Sequence, residues 1–166
     1  MKPQTAMKHA TYPQQHDDML PTLSGATVDF SYDGTCLPLI IRPARDELSQ
    51  DPSAACGWYN AHLREFDGLL DHYGALLFRD FAIPGTQAFH QIVDLYPVHS
   101  AGYVAGAAPR KRIEGNVYES TRMPAPFKIG LHQEKAYMPD FPRLLGFYCK
   151  TAPQEGAGGE TPLCDM

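Results

Sequence analysis

The apolar and polar residues of this chain keep a regular rhythm up to about position 97 and lose it afterwards. CLPLIIRP (36–43) is a short apolar run closed by proline and reads as an edge strand. In DPSAACGWYNAHLREFDGLLDHYG (51–74), Trp58, Leu63, Phe66, Leu69 and Leu70 fall mainly on one face at the helical period. Asp51 or Ser53 can cap that helix and Gly74 can end it. ALLFRDF (75–81) then reads as a buried strand, and PGTQAFHQIVDLYP (84–97) as a second amphipathic helix with Phe89, Ile92, Val93 and Tyr96 inward. Beyond about 98, glycines and prolines punctuate short strand candidates at 115–119, 128–134 and 144–150. Residues 1–24 are polar and without period, and read as a flexible arm. Strand, helix, strand, helix and then mostly β predicts an α+β domain over 25–166, with a sandwich or jelly-roll portion and helices packed on one side.

Composition narrows the functions open to such a domain. With 166 residues and 43% hydrophobic content, one domain with a real core is expected. The net charge of -5 and the lack of a long basic run argue against nucleic-acid binding, which needs a clustered basic footprint. The short cluster Arg110, Lys111 and Arg112 reads as a solvated turn. Cys36, Cys56, Cys149 and Cys164 are widely spaced with no CxxC pair, so neither a zinc knuckle nor a redox motif is suggested. No apolar leader and no membrane-length stretch is visible, and the expectation is a soluble, cytoplasmic protein.

One pair of residues carries candidate chemistry. In IGLHQEKAY (129–137), a strand would put Gly130, His132 and Glu134 on one face and Ile129, Leu131 and Gln133 on the other. An imidazole nitrogen and a carboxylate oxygen side by side suit a divalent first-row metal. Chance alone supplies such pairs: acidic residues are 19 of 166, so seven histidines give about one acid two positions on. Two occur, His132/Glu134 and His16/Asp18, and the second lies in the unpatterned arm. The competing reading is a half-exposed strand with Glu134 facing solvent or pairing with Lys135.

The surrounding blocks favour the metal. GALLFRDF (74–81), GNVYEST (115–121), LHQEKAY (131–137), FYCKTAP (147–153) and GGETPLCDM (158–166) occur in an order that resembles the taurine dioxygenase/TfdA family of iron(II)- and 2-oxoglutarate-dependent oxygenases, nearest its clavaminate synthase-like branch. The likeness spans roughly residues 35–166. It implies a distorted jelly roll (a double-stranded β-helix) with flanking helices, holding Fe(II) through two histidines and one carboxylate, with open positions for 2-oxoglutarate and O2. His132 and Glu134 match the first two ligands, and Thr161 matches the threonine that binds the distal carboxylate of 2-oxoglutarate. Asn116, Tyr118, Ser120 and Thr121 match positions that line the substrate pocket, with ordinary turn and strand hydrogen bonding as their other reading. Lys128 is a further candidate to face the substrate, with an exposed lysine as the favoured reading, and Tyr137 is a candidate for the pocket wall or for plain core.

The resemblance implies C–H hydroxylation of a small substrate, amino-acid-like by analogy with that branch, releasing succinate and CO2. It also implies a continuation that carries a distal histidine ligand and an arginine for 2-oxoglutarate. No histidine follows His132 here, so the chain is expected to be a partial domain and, alone, inactive. Open sheet edges would then favour a homo-oligomer or a complementing chain. The alternatives are an inactive remnant, a non-enzymatic jelly-roll binding module, or a cupin-like zinc hydrolase.

Overall fold

A computed structural model of the chain describes residues 20–32, 35–97, 110–120, 129–139, 141–154, 156–157, 159 and 161–164. Its first sheet is built from β1 (Ala26–Tyr32), β2 (Thr35–Pro43) and β3 (Leu76–Phe78), in the order β1-β2-β3. β1 and β2 are antiparallel, with Val28 opposite Ile41 and Phe30 opposite Leu39. β3 joins β2 in parallel, with Leu39 opposite Leu76 and Ile41 opposite Phe78.

β2 is therefore the central strand, not an edge. Pro38 lies before the stretch that pairs with β3 and Pro43 lies after it. The backbone between them serves both neighbours: Leu39 N–H donates to the Ala75 carbonyl at 2.9 Å, and Arg79 N–H donates to the Ile41 carbonyl at 3.0 Å. Leu39, Ile40 and Ile41 are all buried, the unbroken apolar run expected of a strand covered on both faces. β1, which the sequence reading passes over, is the partner that moves β2 to the centre.

Between β2 and β3 run three helices, α1 (Asp46–Gln50), α2 (Pro52–Ala61) and α3 (Leu63–Tyr73). The single helix expected over 51–74 is broken at His62, which has φ -111° and ψ 15°. The His62 ring is the cause. Its Nδ1 donates to the Trp58 carbonyl at 2.8 Å, taking the acceptor that a continuing helix would offer to the His62 N–H. That N–H turns to the Tyr59 carbonyl instead, and α3 restarts from the His62 carbonyl. Asp51 caps α2 by accepting from Ser53 N–H at 2.8 Å, with Pro52 in the first turn. Gly74 ends α3 at φ 72°, a conformation open to glycine at little cost.

The core lies between this sheet and the helices. Leu23, Ile41, Leu48, Trp58 and Phe66 form its buried centre, ringed by Tyr59, Leu69, Leu76, Phe78 and Phe81. Phe66 meets Tyr59 and Phe78 at ring separations of 4.8 and 5.0 Å, and Trp58 stacks on Phe81 at 5.0 Å. The buried indole N–H of Trp58 is satisfied by the Ser24 carbonyl at 2.7 Å. Residues 20–24, placed with the polar arm by their sequence, thus close the core. Residues 1–19 lie outside the described residues.

The second half is built differently. Helix α4 (Thr86–Val93) is shorter than the 84–97 expected of it, and its apolar face is only half-buried. Against it packs a two-stranded ribbon of β4 (Arg112–Glu114) and β5 (Val117–Tyr118), turned at Gly115 with φ 47°. The strands expected at 128–134 and 144–150 do not form among the described residues: 129–133 has no regular structure, 134–137 is a turn, and 144–149 has no ladder. The latter stretch is anchored by Tyr148, which stacks on Phe89 at 5.4 Å and donates its hydroxyl to the Ile83 carbonyl at 2.9 Å. The helices and strands agree with a mixed class. The described residues form two small sheets and no double-stranded β-helix.

Candidate metal centre

His132 and Glu134 come together by a route other than a strand. The backbone leaves Gly130, passes His132, and turns at 134–137, where Ala136 N–H donates to Gln133 and Met138 N–H donates to Lys135. Lys135 sits at φ 57° and is buried. The turn brings the Glu134 carboxylate back beside the imidazole, with His132 Nε2 at 3.8 Å from Glu134 Oε2. So the shared face predicted from a strand's period is reached by a turn.

The imidazole is oriented by its other nitrogen. His132 Nδ1 donates to the Gly130 carbonyl at 2.8 Å. That bond puts a proton on Nδ1 and makes Nε2, 3.8 Å from the carboxylate, the ring nitrogen open to a metal. Two acceptors facing one another need a proton or a cation between them. Metal–nitrogen and metal–oxygen bonds of about 2.0–2.2 Å put adjacent donors near 3 Å apart, so the pair must close by less than about 1 Å to share an ion. The donor types, the tautomer and the spacing fit two positions of a first-row divalent site. Among the described residues no group of three or more His, Cys, Asp or Glu converges on such a point.

Glu134 does not face solvent as the simpler reading supposes. Its side chain is 14% exposed, and its Oε2 accepts from the Arg110 guanidinium at 3.3 Å. Arg110 is 15% exposed and lies two residues before β4. Of the basic cluster read as a solvated turn, Lys111 and Arg112 are exposed, but Arg110 is part of this centre. No local pattern marks it, because an arginine 24 positions from its carboxylate leaves no trace in spacing.

The other candidates are more scattered. Asn116 is half-buried in the turn of the ribbon, Tyr118 is half-buried on β5 opposite Arg112, and Ser120 is exposed just after it. Tyr137 is exposed in the turn that carries Glu134. Thr161 is exposed in a stretch without helix or strand. Thr121 and Lys128 lie outside the described residues. A shallow groove lined by Pro52, Pro84, Gln87, Ala88 and Gln91 contains none of these residues and no titratable group. No helix among the described residues is long and apolar enough to cross a membrane.

Comparison with known proteins bears on the same segment. The model of the taurine catabolism dioxygenase TauD, TfdA family matches residues 51–166, more than half of the chain and all of the candidate centre. A clavaminate synthase-like protein of Arabidopsis thaliana is 39% identical over 97 residues, which are 58% of this chain and 29% of that protein. The dapdiamide synthesis protein DdaC of Enterobacter agglomerans is 37% identical over 99 residues, 60% of this chain and 30% of its own length. The chain thus spans about three-tenths of the length of the curated relatives it matches.

Proposed function

The chain belongs to the taurine catabolism dioxygenase TauD, TfdA family, and from that premise we propose that His132 and Glu134 are two of the donors of an iron(II) site served by 2-oxoglutarate. The observation that carries this reading is the Nδ1 bond to Gly130, which leaves Nε2 facing Glu134 Oε2 at 3.8 Å. A strand edge with a solvated glutamate would need neither the tautomer nor the approach. When bound, the iron and its co-substrate supply the oxidising chemistry of C–H hydroxylation, with O2 consumed and succinate and CO2 released.

This chain's residues contribute positioning. His132 and Glu134 hold adjacent donors on one side of the ion. Thr161 is assigned to the distal carboxylate of 2-oxoglutarate, where a hydroxyl donor would fix the co-substrate's pose. Asn116, Tyr118, Ser120 and Thr121 are assigned to the substrate side, with a small amino-acid-like compound as the substrate class. The jelly roll of the family is taken to be completed by sequence beyond these segments, which lie within one partial domain over 25–166. No histidine follows His132 among these 166 residues, and a site held by His132 and Glu134 alone should bind a dication weakly. A complementing chain or second copy is one source of the missing donor. The cytoplasm is the proposed compartment.

The experiment is an anaerobic titration of the chain and of His132→Ala and Glu134→Ala with Co(II) as the iron surrogate. Binding should be lost in both variants while near-ultraviolet circular dichroism is retained. Retained binding in either would refute the pair as ligands. A preference for Zn(II), with no response to 2-oxoglutarate, would favour a hydrolase. Absence of any metal binding, with the fold intact, would favour a binding module.

A further inference from the structure

We propose that Arg110 is the positioning residue of this centre: its guanidinium fixes the Glu134 carboxylate beside His132. The inference rests on the metal reading above for its purpose, but its geometry stands apart from it. Arg110 donates to Glu134 Oε2, the same oxygen that faces His132 Nε2. A glutamate side chain has three rotatable bonds, and ordering it costs conformational entropy comparable to one good hydrogen bond. Arg110 meets that cost before any ion arrives. It is itself held, since both side chains are largely removed from water, at 15% and 14% exposed.

Two charges withdrawn from water in this way stabilise one another only in a fixed geometry, so the pair is poorly suited to swinging freely. A carboxylate oxygen has lone pairs enough for one N–H donor and one metal bond together. Arg110 therefore need not leave when a dication enters. Its positive charge opposes the dication, and its hydrogen bond presents the ligand. The inference is that presentation wins, as it does where outer hydrogen-bond partners orient metal-binding carboxylates. Arg110 touches neither the ion nor a substrate in this role.

The test compares the chain with Arg110→Met, Arg110→Lys and Arg110→Met/Glu134→Gln. Without metal, 13C relaxation of the Glu134 side chain should report an ordered carboxylate in the native chain and a mobile one in Arg110→Met. With Co(II), Arg110→Met should bind roughly 10-fold to 100-fold more weakly and with altered visible bands, and Arg110→Lys should recover part of both. Equal or tighter Co(II) binding by Arg110→Met would overturn the inference. Unchanged order of Glu134 in Arg110→Met would also overturn it. If Arg110→Met does not fold, Arg110→Lys carries the same comparisons, and the double variant, which leaves no unpaired charge, shows whether the fold itself needs the ion pair. Failure of the metal reading shows separately, as Co(II) binding that is absent or indifferent to His132→Ala while the relaxation result stands.

Discussion

Residues 20–97 and residues 110–164 are both rich in apolar side chains, and they dispose of them in opposite ways. Among the described residues, nine of the buried hydrophobic ones fall between Leu23 and Tyr73, and only Val117 lies beyond 110. Of the exposed large hydrophobic residues among those described, the count reverses: Leu20 alone lies in the first region, against nine from Ile113 to Leu163. Hydrophobicity is thus not the variable that separates them. The first region has two layers, a sheet and a set of helices, each with an apolar face for the other. The second, among the described residues, has a two-residue strand paired with a three-residue one, and irregular chain that meets α4 where Tyr148 stacks on Phe89. An apolar face without a second layer stays in water, whatever its sequence. The candidate centre sits in this second region, so it depends on a few polar contacts where the first region depends on packing.

The largest break in that comparison should come from Phe66, which is fully buried and touches aromatic rings from α2 and β3. Phe66→Ala removes a ring from the middle of the only layered core among the described residues. A loss of about 3–5 kcal/mol is expected, by analogy with other buried aromatic truncations. Urea unfolding followed by Trp58 fluorescence measures it. A loss under about 1 kcal/mol would mean that the aromatic cluster is not the cooperative core.

The joint between the two regions should be the next most sensitive place. Gly115 turns the ribbon at φ 47°, and a Cβ there would run into the His90 ring on α4. That ring is also engaged by Asp94, with His90 Nδ1 3.0 Å from its carboxylate. Gly115→Ala combines a left-handed backbone with a steric conflict and should cost about 1–3 kcal/mol. His90→Ala in the same chain should relieve the steric part and leave the backbone part. If the double variant is no more stable than Gly115→Ala, the ribbon does not rest on α4 through His90.

How much of this could be read from the sequence follows the same division. Trp58, Phe66 and Leu69 announce a helix face because their partners lie close along the chain, and Asp51 and Gly74 mark its ends by rules that act within a few residues. The break at His62 was not legible: it comes from one ring nitrogen capturing the Trp58 carbonyl. The place of β2 is not legible in its own residues, because a strand's rank in a sheet depends on which strands find it, and here both β1 and β3 do. His132 and Glu134 were legible as a pair, although the strand meant to align them is absent and a turn aligns them instead. A strand is a relation between two segments, and period-2 alternation states only one side of it. Arg110 was illegible for the same reason, since its partner is remote in sequence and near only in space.

A gentler probe of the first region is alkaline pH. Tyr59 and Tyr96 meet hydroxyl to hydroxyl at 3.3 Å beside the core. Burial, then the Tyr96 hydrogen bond, and then the nearby Tyr96 and Asp67 charges push the Tyr59 phenol well above its ordinary value near 10. Burial likewise raises Tyr96. The fold therefore favours the neutral phenols, and the unfolded chain releases their protons first. Their contribution to stability is complete below about pH 10 and is lost as pH rises beyond it, with a slope of at most about 1.4 kcal/mol per pH unit for each phenol. Urea unfolding from pH 8 to 11 should show this decline, and Tyr59→Phe should make it shallower. An alkaline limb that Tyr59→Phe leaves unchanged would place the titrating groups elsewhere.

The smallest expected effect is the most direct check on the contrast itself. Phe147 is 63% exposed, while Phe66 is fully buried, and the same truncation can be made at both. A phenylalanine that has not left water loses little when it is cut back, so Phe147→Ala should change stability by less than about 0.5 kcal/mol. Its neighbour Tyr148, stacked on Phe89 and bonded to Ile83, serves as an internal control on the same segment. Tyr148→Ala should cost more than Phe147→Ala although the two are adjacent, because only one of them has a surface to press against. Suppose instead that Phe147→Ala costs more than about 1 kcal/mol, and that the cost falls as the protein is diluted. Then the exposed face is covered in solution by another copy, and the second region has acquired the layer it lacks in the single chain.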